Sequence, residues 1–347
     1  MTISKHRKVT QATIAELAGV SQATVSLVLN GKADSSSRIP EETRRRVLEV
    51  IQQTTYVADP AARRLAGVGN KIVGVFTYEP AFPTEGLDFY TPLLSGIEAA
   101  AEATGNDLLM FTSAPVVNGH RRIFHENNRL GLADGCLLLG LEMDGSDLAR
   151  LVENGYPFVA VGRRDAEGVP YVGVDYVSGT RELVERALVL GHDRFFYLHV
   201  DSSGESVRDR LTGFHQTLDG SAAESRTLAS NGSDVAADWK MIRAFEPSVV
   251  FVESPGIAEE LLELAREDGL SVPDDLSMVT LGEQSRPRDQ ATDFTRFSAP
   301  RTELGARAVL LLSRILSKDD QPSDVELRVL LTVTHIPGST LTKAIAR

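Results

Sequence analysis

The sequence predicts an all-α head followed by a two-lobed α/β body, and three observations carry that expectation. Charge is segregated: residues 1–71 hold eleven Lys/Arg against six Asp/Glu, whereas the rest of the chain holds 25 against 42. Two short helices broken by a glycine open the chain. Beyond Gly69, runs rich in Val, Leu and Ile alternate with amphipathic helices over roughly 270 residues, the pattern of a parallel sheet covered on both faces.

A chain of 347 residues exceeds one ordinary domain. With 42% hydrophobic and 24% charged residues it can build sizeable cores, so disorder is not expected. Met1 to Thr10 carries Lys5, Arg7 and Lys8 but no apolar run, and no later stretch approaches membrane-spanning length, which points to the cytoplasm. Cys136, the single cysteine, sits in the apolar run Gly135 to Leu139 and reads as a buried strand residue, neither a disulfide partner nor a metal ligand. The net charge of -12 argues against nucleic acid only until its distribution is seen: a basic head can approach phosphates while an acidic body is kept off them.

Within the head, residues 13–30 read as two helices. Gly19 tolerates the positive φ that ends the first, and Ser21 caps the second. At about 100° per residue Val25, Val28 and Leu29 share one face, leaving Ala23, Ser26, Leu27 and Asn30 opposite. A solvated helix would carry Lys and Glu there; small, nearly uncharged residues permit close approach to a major groove. An ordinary helical hairpin is the bland alternative. Pro40 at a first helical position, followed by Glu41 and Glu42, opens a third helix whose Val47, Val50 and Ile51 can cover the first two. Asp59 to Gly67 suggests a further helix too short to be stable alone.

These residues resemble the LacI/GalR family of bacterial repressors. The likeness runs through Val9-Thr10, Ala18-Gly19-Val20-Ser21, Ala23-Thr24-Val25-Ser26, Val28-Leu29-Asn30-Gly31, Tyr56 and Ala62-Arg63-Arg64-Leu65-Ala66-Gly67, and with the α/β body it covers almost the whole chain. It implies a helix-turn-helix head over 1–58, a hinge helix and linker over 59–70, and a two-lobed sensor of periplasmic-binding-protein-like (type I) fold over 71–340. The lobes implied are about 71–172 with 299–319, and about 173–298 with 320–340, joined by crossings near Tyr171, Phe297 and Lys318.

For the head, the resemblance implies that Gln22, Ala23 and Leu27 read bases, while Thr10, Ser21, Thr24, Ser26 and Asn30 contact phosphates. Gln22 can pair with adenine, and Ala23 or Leu27 can touch thymine methyls. Relatives often carry Arg where Leu27 stands, so a guanine contact is missing and their operator sequence does not transfer. The loop from Gly31 to Arg38 is longer than usual, which shifts Arg38 along the backbone, with a solvated loop as the alternative. The hinge around Ala62, Arg63 and Leu65 is implied to fold in the minor groove of an operator bound by a homodimer, with Leu65 wedged between base pairs. The tail Thr340 to Arg347 lacks leucine heptads, which disfavours tetramers.

For the body, strands are expected at 71–76, 107–111, 135–139, 158–161, 171–174, 195–199, 249–252 and 276–281. Helices are expected at 92–103, near 121–130, around Leu148, at 180–190, 207–218, after Val252 to Glu267, and at 302–316. A cleft at strand ends would take an effector, a sugar or related metabolite. The resemblance places Phe89 and Tyr90 as a stacking platform and Arg210 at the cleft, where a guanidinium can fork bonds to oxygens. Glu253 and Glu283 stand where relatives have aspartates. Arg163, Asp144 and Asp175 are weaker candidates, each equally readable as a surface or helix-capping residue.

No Gly-x-Ser-x-Gly elbow, phosphate-cradling loop or His-Glu-x-x-His signature occurs, so neither catalytic residues, a metal nor a cofactor is expected. His120 and His125, on an expected helix, do not share a face. Two functions compete: a DNA-binding regulator, chiefly a repressor, switched by a small effector, and a solute-binding protein of the same sensor fold. The second needs export and no basic head.

Overall fold

The computed structural model describes residues 9–29, 39–54, 56, 63, 69–80, 90–117, 120–282, 292–317 and 319–345. These fall into two compact units that part between Asn70 and Lys71. Among the described residues no single helix is long and apolar enough to cross a membrane.

The first unit contains α1 (Gln11–Ala18), α2 (Gln22–Leu29) and α3 (Glu41–Gln53). Thr10 caps α1 reciprocally: its Oγ1 accepts from Thr13 N and its own N–H donates to Thr13 Oγ1, both at 3.3 Å. Gly19 then ends α1 at φ 65°, a conformation that side chains rarely tolerate, and turns α2 through 107°. Ser21 Oγ accepts from Thr24 N at 3.1 Å and opens α2. Pro40 stands one position ahead of α3 rather than in its first turn. Val47 buries fully against Ile14, Ala15, Ala18, Val25 and Val28, and Arg46 Nε donates to Ala18 O at 2.8 Å, placing a cation on the carbonyl end of α1.

The second unit holds two six-stranded sheets. The first contains β1 (Ile72–Thr77), β2 (Asp107–Phe111), β5 (Gly135–Leu139), β6 (Phe158–Val161), β7 (Tyr171–Val174) and β13 (Arg328–Leu331), all parallel, in the order β13-β7-β6-β5-β1-β2. The second contains β8 (Arg194–Val200), β9 (Glu224–Ser230), β10 (Val249–Val252), β11 (Ser277–Thr280), β12 (Thr295–Ser298) and β14 (Thr334–Ile336), in the order β14-β12-β11-β10-β8-β9, with β14 alone antiparallel. Helices α4 (Tyr90–Ala103), α5 (Gly145–Glu153) and α10 (Arg301–Leu316) accompany the first sheet; α6 (Tyr176–Val189), α7 (Glu205–Leu218), α8 (Val235–Phe245) and α9 (Pro255–Glu267) accompany the second. Cys136, Leu137, Leu138 and Leu139 on β5, and all four residues of β10, are fully buried, as a strand covered on both faces requires.

Three expectations need correction. The helix near 121–130 is absent: β3 (Val116–Val117) and β4 (His120–Arg121) form a hairpin, followed by a turn and a single 3₁₀ turn at Leu130–Leu132. Asn128 bonds Ile123 O and Leu130 N, each at 2.8 Å, and Asp147 Oδ2 accepts from Ile123 N, so side chains claim backbone groups that a helix would need. His120 therefore lies on a strand. The third crossing comes at residues 332–333, not near Lys318, because Val329 pairs in register with Val172 and holds 328–331 on the first sheet. β7 likewise keeps the first sheet as far as Val174. Elements β9 and α8 had no counterpart in the sequence expectation; β9 is a largely exposed edge strand without an apolar run.

Candidate functional site

The carboxyl ends of β1, β5, β6, β8, β10, β11 and β12 open on one cavity of about 410 Å³ between the sheets. Tyr90, Arg163, Arg210 and Glu253 line it together with Glu79, Arg164, Tyr176, Asp209, Phe297 and Arg301. Phe89 and Glu283 lie outside the described residues.

Arg210, on the buried face of α7, is the centre of the site. Its Nη1 donates to Glu253 Oε1 and to Ser206 O, both at 3.0 Å, and its guanidinium lies 3.6 Å from the centroid of the Tyr176 ring, with Phe297 at 5.8 Å. Burial opposes its charge most strongly, yet the Glu253 carboxylate with the Tyr176 and Tyr197 hydroxyls together outweigh it and hold the guanidinium more firmly protonated than usual. Its Nε is buried with no protein acceptor. Glu253, at the end of β10, is fixed in turn by Val200 N at 3.1 Å and Tyr197 OH at 3.3 Å.

Across the cavity the Tyr90 hydroxyl donates to Glu79 Oε2 at 2.7 Å, and Glu79 Oε1 accepts from Leu141 N at 3.0 Å. Burial first, then this carboxylate, push the Tyr90 phenol well above its ordinary pKa, so it stays a donor. Tyr90 thus takes part in a hydrogen-bonded wall as well as offering a ring.

Charge pairs span the lobes along one edge. After β6, Arg163 grips Asp209 of α7 through Nε–Oδ2 and Nη2–Oδ1, both at 2.7 Å; Arg164 Nη1 meets Glu205 Oε2 at 2.6 Å; and Asp165 accepts from Arg208. Beside them, Glu142 Oε1 accepts from Ser203 N at 2.8 Å and from the Ser202 hydroxyl. The Arg163 hydrogen bond, ahead of Arg208, holds the Asp165 carboxyl below its usual range.

Asp144 does not line the cavity. It caps α5, accepting from Ser146 N at 2.9 Å and Asp147 N at 3.0 Å, and pairs with Arg122; the Ser146 hydroxyl bond is the main reason its carboxyl titrates below the ordinary value. Asp175 caps α6 in the same way, through Ser178 N at 3.0 Å. The residues missed from sequence are Glu79, Arg164, Tyr176, Asp209, Phe297 and Arg301. The signals available were the place of Asp209 immediately before Arg210 and the expected chain crossing near Phe297.

On the head, Ser21, Gln22 and Ala23 are exposed, and Thr24, Ser26 and Leu27 half-buried, while Val25 and Val28 face the core. Thr10 is exposed at the start of α1. Arg63 Nε and Nη2 donate to Gly69 O at 3.1 and 2.7 Å. Asn30, Arg38, Ala62 and Leu65 lie outside the described residues. Among the described residues no cluster of His, Cys, Asp and Glu could hold a metal ion.

Residues 4–59 match the family "Bacterial regulatory proteins, lacI family", and residues 184–340 match "Periplasmic binding protein-like domain". The chain is 30% identical over 349 positions to the HTH-type transcriptional regulator CelR of Thermobifida fusca, covering 95% of this chain and 99% of that protein. It is 27% identical to catabolite control protein A of Staphylococcus xylosus, covering 88% and 92%. Among solved structures, the lac repressor dimer bound to operator and the anti-inducer ONPF superposes with a TM-score of 0.76 at 22% identity, over 97% of this chain and 100% of that one. A CelR–cellobiose complex superposes with a TM-score of 0.63 at 25% identity, over 95% and 99%.

Proposed function

Since the chain belongs to the lacI family of bacterial regulatory proteins, which regulate transcription by binding DNA, we propose that it is a repressor that reads a palindromic operator as a homodimer and answers to a sugar or related metabolite in its cleft. The observation that carries the effector half is the buried Arg210 stacked on Tyr176 at the strand ends, in a cavity large enough for a small metabolite. A relative of similar sensor fold has been solved with cellobiose, which supports a sugar as the ligand class.

For the DNA half, α2 is the reading helix. Gln22, Ala23 and Leu27 meet base edges, and Thr10, Ser21, Thr24, Ser26 and Asn30 meet phosphates, with Arg38 reaching the backbone nearby. Ala62, Arg63 and Leu65 form a hinge that folds in the minor groove. The outer face of α2, exposed at Gln22 and Ala23, half-buried at Ser26 and Leu27 and uncharged throughout, supports this, since it desolvates at less cost than a face of Lys and Glu. One head reads a half-site, so two-fold symmetry of the operator calls for a dimer. The chain works in the cytoplasm and binds its ligand without transforming it.

Ligand in the cleft bridges the lobes and shifts their relative placement, which alters the spacing of the two heads and so the operator affinity. The test is a mobility shift on DNA upstream of the regulated genes, with a sugar panel. Arg210→Ala should keep operator binding and lose the response to the sugar that acts on wild type; Leu65→Ala should weaken operator binding about tenfold or more with the sensor intact. An Arg210→Ala protein that responds like wild type would refute this assignment of the cleft.

A further inference from the structure

We propose that Glu253 is a built-in counter-ion that sets effector specificity: it occupies the cationic side of Arg210, so the cleft selects uncharged ligands and rejects sugar acids and phosphorylated sugars. The inference rests on the reading of this cavity as the effector site and adds the ligand's charge class.

The charges lining the cavity are already engaged. Arg163 has both parallel bonds taken by Asp209, Arg164 is held by Glu205, and Arg210 by Glu253. Arg301, the fourth guanidinium at the wall, is also engaged. In the Arg210–Glu253 pair both members are buried, with side chains 10% and 7% exposed. Its carboxylate cannot swing aside freely, because Oε2 is held by Val200 N at 3.1 Å and Tyr197 OH at 3.3 Å while Oε1 faces Arg210.

An anionic group brought to Arg210 would therefore meet Glu253 at close range, with little water to screen the two like charges. On the opposite wall it would meet Glu79, whose oxygens accept from the Tyr90 hydroxyl and Leu141 N. Arg210 has Nη1 committed to Glu253 Oε1 and Ser206 O, and its Nε, without a protein acceptor, is buried away from solvent. A neutral hydroxyl or ring oxygen adds no charge beside the Arg210–Glu253 pair, while the partly exposed Tyr90 ring and Leu141 supply apolar surface for the C–H side of a sugar. Glu253→Gln keeps the side-chain shape and one acceptor for Arg210 but removes the negative charge, which turns the same pocket into one that attracts anions.

The test uses the full-length protein and matched probes: D-glucose against D-glucuronate, cellobiose against cellobiouronate, its C6 carboxylate, and acetate alone, with ionic strength equalised by NaCl. The melting temperature of wild type should not respond to the acids at concentrations where Glu253→Gln is clearly stabilised. The half-effect concentration of at least one acid should fall tenfold or more in the variant. Arg210→Gln/Glu253→Gln, which leaves neither charge buried, should gain less from acids than Glu253→Gln. If the single variant does not fold, wild type decides, since stabilisation by a neutral sugar and not by its acid supports the proposal and equal stabilisation by the acid overturns it.

Wild type that responds to an acid at or below the concentration of its neutral counterpart would overturn the proposal, as would a folded Glu253→Gln protein that gains nothing from any acid. A wild type indifferent to every sugar, with Glu253→Gln stabilised by acetate, would count against a sugar effector yet support the role of Glu253.

Discussion

Arg163 and Asp209 stand on opposite lobes and face each other through two parallel bonds of 2.7 Å, the geometry in which a guanidinium binds a carboxylate most tightly. Asp209 is only 7% exposed, so little water competes for it. Arg163→Ala should release the lobes, weakening the contact between them by about 2 kcal/mol. Small-angle scattering should show a larger radius of gyration for the variant while circular dichroism stays unchanged. Unaltered scattering would mean that the neighbouring Arg164–Glu205 and Glu142–Ser203 contacts hold the lobes by themselves.

Asp144 tests the difference between a cap and a ligand. Asp144→Ala should destabilise the sensor by about 1 kcal/mol without changing effector affinity, whereas Arg210→Ala should do the reverse for affinity. The pH dependence has a definite sign. Since the folded carboxyl titrates below its unfolded value, its contribution is complete above about pH 4 and is lost as pH falls through the folded value. The stability difference between wild type and Asp144→Asn should be flat from neutral pH to about 5 and change only in acid, as read by urea melts across pH.

Ser21 separates folding from recognition in the head. Its hydroxyl accepts from Thr24 N, so Ser21→Ala should cost about 1 kcal/mol in the head's stability. Ser21→Asp should keep the cap, since a carboxylate accepts the same bond, but it puts negative charge where a phosphate is expected. Thermal melts should therefore rank Ala below Asp, and DNA titrations should rank Asp below wild type.

Gly96 tests the packing of α4 on α10. A Cβ there would fall 1.9 Å from Thr302 O, and across the same seam a Cβ at Gly305 would fall 2.2 Å from Leu93 O. Backbone meets backbone, so no side chain can move aside. Gly96→Ala should lower stability by about 3 kcal/mol in chemical denaturation, whereas Gly145→Ala, where a Cβ meets nothing within 4 Å, should have little effect.

Much of this was legible in the sequence where the information is local. The outer face of α2 follows from helical periodicity, the buried strands from runs such as Gly135 to Leu139, and Arg210 with Glu253 from their motif context. Tyr176 and Phe297 were not legible as cleft residues, because each reaches the cavity through chain crossings and sheet pairings far apart in sequence, and Asp209, though next to Arg210, gains its role only from Arg163 on the other lobe. Asp144 misled for a related reason: a carboxylate before a helix looks the same whether it caps or binds. The expected helix at 121–130 failed because Asn128 and Asp147 redirect its backbone bonds, and the second of these comes from another element.

The central claim, that the head recognises a particular duplex and the cleft controls it, is tested most directly by fluorescence anisotropy. The intact protein is titrated onto its upstream DNA and onto a scrambled duplex at moderate salt, with and without the sugar that stabilises the protein in thermal melts. The account predicts at least about a thousandfold preference for the upstream site, a linear fall of log affinity with log salt, and a change in affinity on adding the sugar. Equal affinity for both duplexes, unmoved by the sugar, would contradict it.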